Sequence, residues 1–270
     1  MFTTLISADD LTSRLESGGD GLVVLDCRAR LGEPDYGRRA YAAGHLPGAV
    51  HVDLDADLAA PPGAGGRHPL PDRAELAAKL RERGLNDADQ VVVYDDAGGA
   101  FASRAWWCLR WLGHRAVALL DGGLEQWPGP LSSQLPDVTP GDFSLRPPLT
   151  RTIDADRLAA SLATLTLVDA RTRARFEGRE EPIDPVAGHI PGAVCLPFGE
   201  NLDGDGRFLD ARTLARRFEG LGADIVCYCG SGVTAAHNVL AMTIAGLDEP
   251  ILYPGSWSEW IVDPTRPRAP

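Results

Sequence analysis

The chain is short of positive charge. Its 26 lysines and arginines face 38 aspartates and glutamates, a formal net charge of −12. That balance argues against nucleic acid or an anionic membrane surface as the main partner. It also means that any anionic substrate requires a locally assembled positive site. Cysteine is scarce as well: Cys27, Cys108, Cys195, Cys227 and Cys229 are the whole set of five. An odd number at irregular spacing is not a disulfide framework and suits a reducing compartment. No Cys/His cluster has zinc-like spacing, so no metal is expected. No apolar run approaches the roughly eighteen residues of a membrane span. The opening "MFTTLISADDLTSRL" lacks the basic flank and apolar stretch of a secretory leader, so a cytoplasmic location is expected. What is present is ordinary for a globular protein: 44% apolar and 24% charged residues in 270 positions, enough for one large domain or two.

The chain repeats itself once. "LVVLDCRAR" (22–30) is echoed by "LTLVDARTR" (165–173), and "AGHLPGAV" (43–50) by "AGHIPGAV" (187–194). "VVVYDDAGG" (91–99) matches "IVCYCGSGV" (225–233) with Tyr94 and Tyr228 in register, and "LLDGGLEQW" (119–127) parallels "LYPGSWSEW" (252–260). Recurrence in the same order implies two copies of one domain. We place an N-terminal domain at 1–127, an extended Pro/Ser/Gly-rich linker at 128–150 and a C-terminal domain at 151–270.

Within each copy, short β-branched runs alternate with helical patterns. Strands are expected at 22–25, 91–94 and 116–120, and again at 165–168, 225–228 and 250–252. Helices are expected over 72–85, 101–114, 210–222 and 234–247, with Gly84, Gly113, Gly222 and Gly246 at their C-terminal caps. Such alternation implies an α/β fold in which each copy is a parallel sheet with helices on both faces. Ligands in such sheets gather at the carboxyl ends of strands, where Cys229 falls.

Each copy serves as a control for the other. His45 and His189, and the pairs Asp26/Arg28 and Asp169/Arg171, occur in both and are expected to order loops. Cys229 does not recur: aligned on the tyrosines, it faces Asp95, which cannot act as a sulfur nucleophile, so the first copy should be catalytically silent. Arg175 has no counterpart either. Cys227, two residues before Cys229, is expected in the core, as are Cys108 and Cys195; a Cys-Tyr-Cys redox pair is the alternative.

"CGSGVT" sets small residues after the thiol. Gly230 and Gly232 permit a nest of inward-facing amides, and a helix starting near Thr234 or Ala235 adds its positive end. Both favour thiolate, the attacking form. A cysteine phosphatase would need an arginine six positions after the cysteine, where Ala235 stands. Sulfur transfer, with the amides of 230–234 stabilising a persulfide, fits better.

On these residues the chain resembles the tandem-domain sulfurtransferases of the rhodanese superfamily. The carriers are "AGHLPGAV", "YDDAGGAFASRAWW" and "LLDGGLEQW" in the first copy, then "DARTRARFEGREEPIDPVAGHIPGA" and "YCGSGVTAAHNV" in the second. The resemblance implies a silent first domain and an active second one. Its loop is similar to that of the 3-mercaptopyruvate sulfurtransferases; thiosulfate-preferring members carry basic residues where Gly230 and Ser231 stand. It further implies Cys229 as nucleophile and Arg175 as the grip on a small anionic sulfur donor, with Gly230, Gly232, Val233 and Thr234 lining the site. The resemblance also implies a Ser231–His68–Asp55 relay that handles protons. Cyanide or a thiol such as thioredoxin is the implied acceptor, and no cofactor is required. A second arginine typical of the family is replaced by Ile183, with Arg179 the nearest alternative cation. A thiosulfate:cyanide sulfurtransferase and a persulfide carrier with poor turnover are the competing readings.

Overall fold

The computed structural model describes residues 1–270, and the chain divides into two units. Unit 1 comprises residues 1–60, 71–149 and 204–207; unit 2 comprises 61–70, 150–203 and 208–270. The division after Leu149 falls at the end of the expected linker, and two short segments lie in the unit opposite to their neighbours in sequence. Residues 128–149 contain no helix or regular strand and are part of unit 1. Their anchor is Phe143, which is buried, donates its amide to Leu85 O and accepts both Nε and Nη2 of Arg81 at its carbonyl.

Unit 1 is built from β1 (Leu5–Ile6), α1 (Ala8–Glu16), β2 (Leu22–Asp26), α2 (Tyr36–Ala43), β3 (Val50–His51), α3 (Arg73–Glu82), β4 (Gln90–Tyr94), α4 (Ala102–Trp111) and β5 (Val117–Leu120). Its sheet is parallel with order β1-β5-β4-β2-β3. Unit 2 contains α5 (Ala155–Ala160), β6 (Thr166–Asp169), α6 (Arg173–Phe176), β7 (Val194–Cys195), α7 (Ala211–Arg217), β8 (Ile225–Tyr228), α8 (Ala235–Ile244), β9 (Ile251–Leu252) and α9 (Ser256–Trp260). Its parallel sheet runs β7-β6-β8-β9, and a lone parallel bridge from Thr152 to Leu252 stands where β1 pairs with β5 in unit 1. The two copies therefore share one strand order.

Local chemistry explains these elements. Ser7, Asp72, Asp154 and Asp210 each accept an amide of the helix they precede, satisfying donors that the first turn leaves open. Every residue of β4 is buried, as expected of a strand covered on both faces. Gly84, Gly113 and Gly246 take positive φ at helix ends, as expected. Gly222 does not: Gly220 holds that conformation after α7 (φ 84°), and Gly222 is instead crowded by Thr166. The core of unit 1 gathers Ile6, Leu11, Val24, Val92 and Tyr94; that of unit 2 gathers Leu158, Val226, Tyr228, Trp257 and Trp260. Burial of such side chains contributes about 1.5–3 kcal/mol each relative to exposure.

The repeated polar residues form one buried lattice in each unit. Arg28 pairs with Asp26 at 2.6 Å and donates to Gly44 O, while Tyr94 Oη donates to Asp26 and accepts the Leu46 amide. Arg171 pairs with Asp169 at 2.7 Å and donates to Gly188 O, while Tyr228 Oη accepts the Ile190 amide. His45 and His189 bond through Nδ1 to the Tyr41 and Phe176 carbonyls, both at 2.8 Å, and stack on those same rings. The duplicated residues thus order loops at the carboxyl ends of the strands.

Candidate active site

Cys229 is the first residue after β8, and α8 begins six residues later. The strand brings the thiol to the carboxyl edge of the sheet. A network from the β9–α9 turn then holds it there. The Cys229 amide donates to Ser256 Oγ at 3.0 Å, Trp257 N donates to Cys229 O at 3.0 Å, and Ser258 N donates to Gly230 O at 2.8 Å. Ser256 has φ +54°, an uncommon conformation for a residue with a Cβ, and spends its hydroxyl on Cys229 N and Tyr253 O. Strain at that position aims the side chain at the cysteine amide.

The two loop glycines serve different ends. Gly232 adopts φ +80°, and its amide donates to Cys229 Sγ at 3.1 Å. Of the two glycines expected to permit the nest, only Gly232 uses an angle that favours glycine; Gly230 has no positive φ. Its constraint is space: a Cβ there would lie 2.8 Å from Arg67 Nη2 and 3.3 Å from Arg175 Nη1. Val233 is buried and Thr234 is the N-cap residue of α8, so both line the turn between thiol and helix.

Ser231 and His68 meet. The serine Oγ lies 2.7 Å from His68 Nδ1, and both residues are buried. His68 belongs to unit 2 through the segment 61–70, which is docked by Arg67 N donating to Ser258 Oγ at 3.0 Å. Asp55 belongs to unit 1, in the exposed turn after β3, where its amide donates to Asp53 Oδ1 at 2.9 Å. The structure therefore gathers Cys229, Ser231, His68, Arg175, Gly230 and Gly232 within unit 2; Asp55 is not among the residues of that unit.

Arg175 stands on α6, held by Glu181 at 2.7 Å and Asp184 at 3.0 Å. Glu181 accepts the Ile183 and Asp184 amides and so shapes the turn that presents Asp184. Ile183 is exposed and brings no charge, and Arg179 pairs with Glu177 in solvent. Sequence reasoning missed Arg67, Asp184 and Ser256. The signal for Arg67 was its place beside His68 in an acidic chain; Ser256 carried none, because only the folded turn reveals its φ. Burial pushes the Cys227 thiol up, with the neighbouring Cys229 adding to the effect, and all five cysteines are free. Cys227 is a core residue, as expected.

Unit 1 shows what this loop holds when the thiol is replaced. Asp95 is fully buried, and its carboxylate accepts the amides of Ala97, Gly99, Phe101 and Ala102 at 2.8–2.9 Å. Burial raises its pKa, and the four amides oppose that shift. These amides correspond in register to those of Ser231, Val233, Ala235 and Ala236. No three or more His, Cys, Asp and Glu side chains are grouped as a metal site would require.

A duplicated parallel α/β scaffold with one thiol at a strand end, ahead of a helix N-terminus, is the class these features define. The family model for the Rhodanese-like domain matches residues 7–129 and 154–263, and the chain belongs to that family. A relative from Pseudomonas aeruginosa, provisionally named a 3-mercaptopyruvate sulfurtransferase, is 52% identical over 98% of this chain and 97% of its own length. Another from Mycobacterium tuberculosis, provisionally named a thiosulfate sulfurtransferase, is 45% identical over 97% and 95%. The crystal structure of SseA from Escherichia coli, described as a 3-mercaptopyruvate sulfotransferase, superposes with a TM-score of 0.80 at 33% identity, over 96% of this chain and 100% of that one.

Proposed function

We propose that this chain is a sulfurtransferase in which Cys229 takes a sulfane sulfur from 3-mercaptopyruvate and passes it, as a persulfide, to cyanide or a thiol. The observation that carries this reading is the paired loop. In unit 1 it wraps a carboxylate with four amides; in unit 2 the same position holds a thiol that already receives the Gly232 amide. A cradle shaped for negative charge favours both the attacking thiolate and the terminal sulfur of a persulfide.

In the first half-reaction the Cys229 thiolate attacks the sulfur of 3-mercaptopyruvate. The S–S bond forms, the C–S bond breaks, and the electron pair moves to carbon as the enolate of pyruvate. Ser231, hydrogen-bonded to His68, delivers the proton that completes pyruvate. In the second, cyanide attacks the outer sulfur, releasing thiocyanate and a proton and restoring the Cys229 thiolate. Arg175 holds the donor carboxylate. Unit 1 is catalytically silent because Asp95 occupies the nucleophile's place. Reduced thioredoxin is a fitting thiol acceptor in a cytoplasm that keeps the five cysteines free, and no helix is long and apolar enough to cross a membrane.

Steady-state thiocyanate formation tests this. The expected result is multiple turnover, a kcat/KM for 3-mercaptopyruvate at least about tenfold above that for thiosulfate (about 1.4 kcal/mol of transition-state discrimination), and no turnover in Cys229→Ser. A thiosulfate preference would replace the donor but keep the persulfide. Activity retained in Cys229→Ser would end the mechanism, and a single turnover would leave a persulfide carrier.

A further inference from the structure

The space that a side chain on Gly230 would occupy is taken by two guanidiniums. A Cβ there would lie 2.8 Å from Arg67 Nη2 and 3.3 Å from each terminal nitrogen of Arg175. Nitrogens at such distances from one point are no more than about 6 Å apart, a gap that one carboxylate bridges when each oxygen accepts a charge-assisted bond of about 2.7–2.9 Å. Buried Asp184 sets the pair. One of its oxygens accepts from Arg67 Nη1, the other from Arg175 Nη2 at 3.0 Å. Glu181 takes Arg175 Nε and Nη2 as well. These bonds leave Arg67 Nη2 and Arg175 Nη1 facing the loop. The two acids also offset the repulsion between like charges.

Arg67 is tied to the nucleophile's own loop. Its amide donates to Ser258 Oγ at 3.0 Å, and the Ser258 amide donates to Gly230 O at 2.8 Å. Burial lowers the Arg67 pKa, while the charge of Cys229 raises it, which puts the guanidinium within electrostatic reach of the sulfur.

We propose that Arg67 and Arg175 together form the clamp for the donor carboxylate, with Asp184 as the positioning residue that sets their spacing. The inference rests on the sulfurtransferase reading above and deepens it. The clamp selects a 2-oxo acid whose sulfur is one methylene beyond the ketone. When that sulfur meets Cys229 Sγ, the carboxylate lies beside residue 230, between the two guanidiniums. It also gives a reason for glycine at 230: a basic side chain there and Arg67 compete for the same space.

The test uses the full chain, wild type against Arg67→Gln, Arg67→Lys and Gly230→Ala. The readouts are KM and kcat for 3-mercaptopyruvate and the competitive Ki of pyruvate, a probe of the carboxylate site that needs no turnover. Loss of one charge-assisted hydrogen bond in Arg67→Gln should raise both KM and Ki about ten- to hundredfold, with kcat within about threefold. Arg67→Lys should recover part of the loss, since it keeps the charge but not the fork. Gly230→Ala, which keeps both charges but pushes Arg67 Nη2 aside, should raise Ki in the same direction and covers the case in which Arg67→Gln does not fold. A purely structural Arg67 would lower kcat and the melting temperature without moving Ki. If wild type uses 3-mercaptopyruvate and the Arg67→Gln or Gly230→Ala variant leaves Ki within about twofold, the clamp is overturned and the sulfurtransferase reading stands. If wild type turns over thiosulfate but not 3-mercaptopyruvate, the donor reading falls and the clamp falls with it.

Discussion

The two glycines of the Cys229 loop should respond differently to the same methyl group. At Gly232 an alanine meets two obstacles. The backbone is at φ +80°, where a Cβ costs about 1–2 kcal/mol. Its Cβ would also stand 2.1 Å from Pro254 O and 2.9 Å from Pro254 C, backbone atoms that cannot rotate away. Overpacking of this kind costs about 1–3 kcal/mol more. Relief requires the loop to part from the β9–α9 turn, which pulls the Gly232 amide from Cys229 Sγ. Gly232→Ala should therefore lose about 2–5 kcal/mol of stability in unit 2. It should also lose about 10²-fold or more in kcat/KM, the effect of removing one donor from an anion cradle. At Gly230 the same methyl meets only the ends of two arginine side chains, at 2.8 and 3.3 Å. There stability should change by under about 1 kcal/mol, and the loss should appear in KM. Differential scanning calorimetry with thiocyanate kinetics reads both. Equal melting temperatures for the two variants would refute the assignment of backbone strain to Gly232 and side-chain space to Gly230.

Further expectations concern the supports of this site and of unit 1. Ser256→Ala strands the buried Cys229 amide and should cost about 1–3 kcal/mol with a fall in kcat; an unchanged melting temperature and rate would show that the strained serine is dispensable. Asp53, which faces His51 Nε2 at 3.9 Å and accepts the Ala56 and Asp55 amides, is held down to about 2 from 3.8. A depressed carboxyl binds fewer protons folded than unfolded, so its stabilisation is complete above about pH 4 and is lost as pH falls toward 2. Asp53→Asn should therefore cost about 1–2 kcal/mol at pH 7, allowing for solvent screening, and the gap from wild type should close by about pH 2. A gap independent of pH would remove the ionised carboxylate as its cause. Burial, aided by the charge of Asp169, pushes the Cys195 thiol up to about 11. Iodoacetamide at pH 8 should accordingly leave Cys195 unmodified in the native protein, and its rapid labelling would contradict that burial.

Much of the fold was legible because the chain contains its own duplicate. The four recurring segments marked three of the sheet strands and the Gly-His-x-Pro-Gly turn in each unit, and β8 fell at 225–228 as expected. The short edge elements β1, β3 and β7, two residues each, were invisible. Two residues leave no alternation to read, and pairing with a longer neighbour creates them. The exchange of segments 61–70 and 204–207 between units was invisible for a related reason, since contacts set it and composition does not. In the site, the thiol and Arg175 stood out because the duplicate lacks them. Arg67 and Asp184 did not, because the significance of either lies in a distance: an aspartate that shares its two oxygens between two arginines looks like any surface acid in sequence. Gly230 shows the limit from the other side. The sequence reading gave this glycine a backbone role, where the structure gives it a neighbour.

Asp95 and Cys229 occupy equivalent positions in the two units, and the loop after each donates a backbone amide to it. A buried carboxylate with four amide donors is a costly group to hold unless its surroundings are arranged for it beforehand. In unit 1 that arrangement consists of the loop after a central strand and the first turn of a helix, with Gly98 at φ +63° where unit 2 has Gly232 at φ +80°. The backbone that wraps a carboxylate in one unit is the backbone that, under the proposed function, holds a transient anion in the other. The difference lies in what each anion can do. The carboxylate is fully committed to its amides and accepts nothing further, whereas the sulfur can bond to a second sulfur and release it. Two guanidiniums stand over the thiol loop, and a histidine-bonded serine stands next to it. Under the proposed function, an anionic donor is drawn to the copy whose anion can react. A chain with twelve excess negative charges can concentrate its substrate in this way without a basic surface.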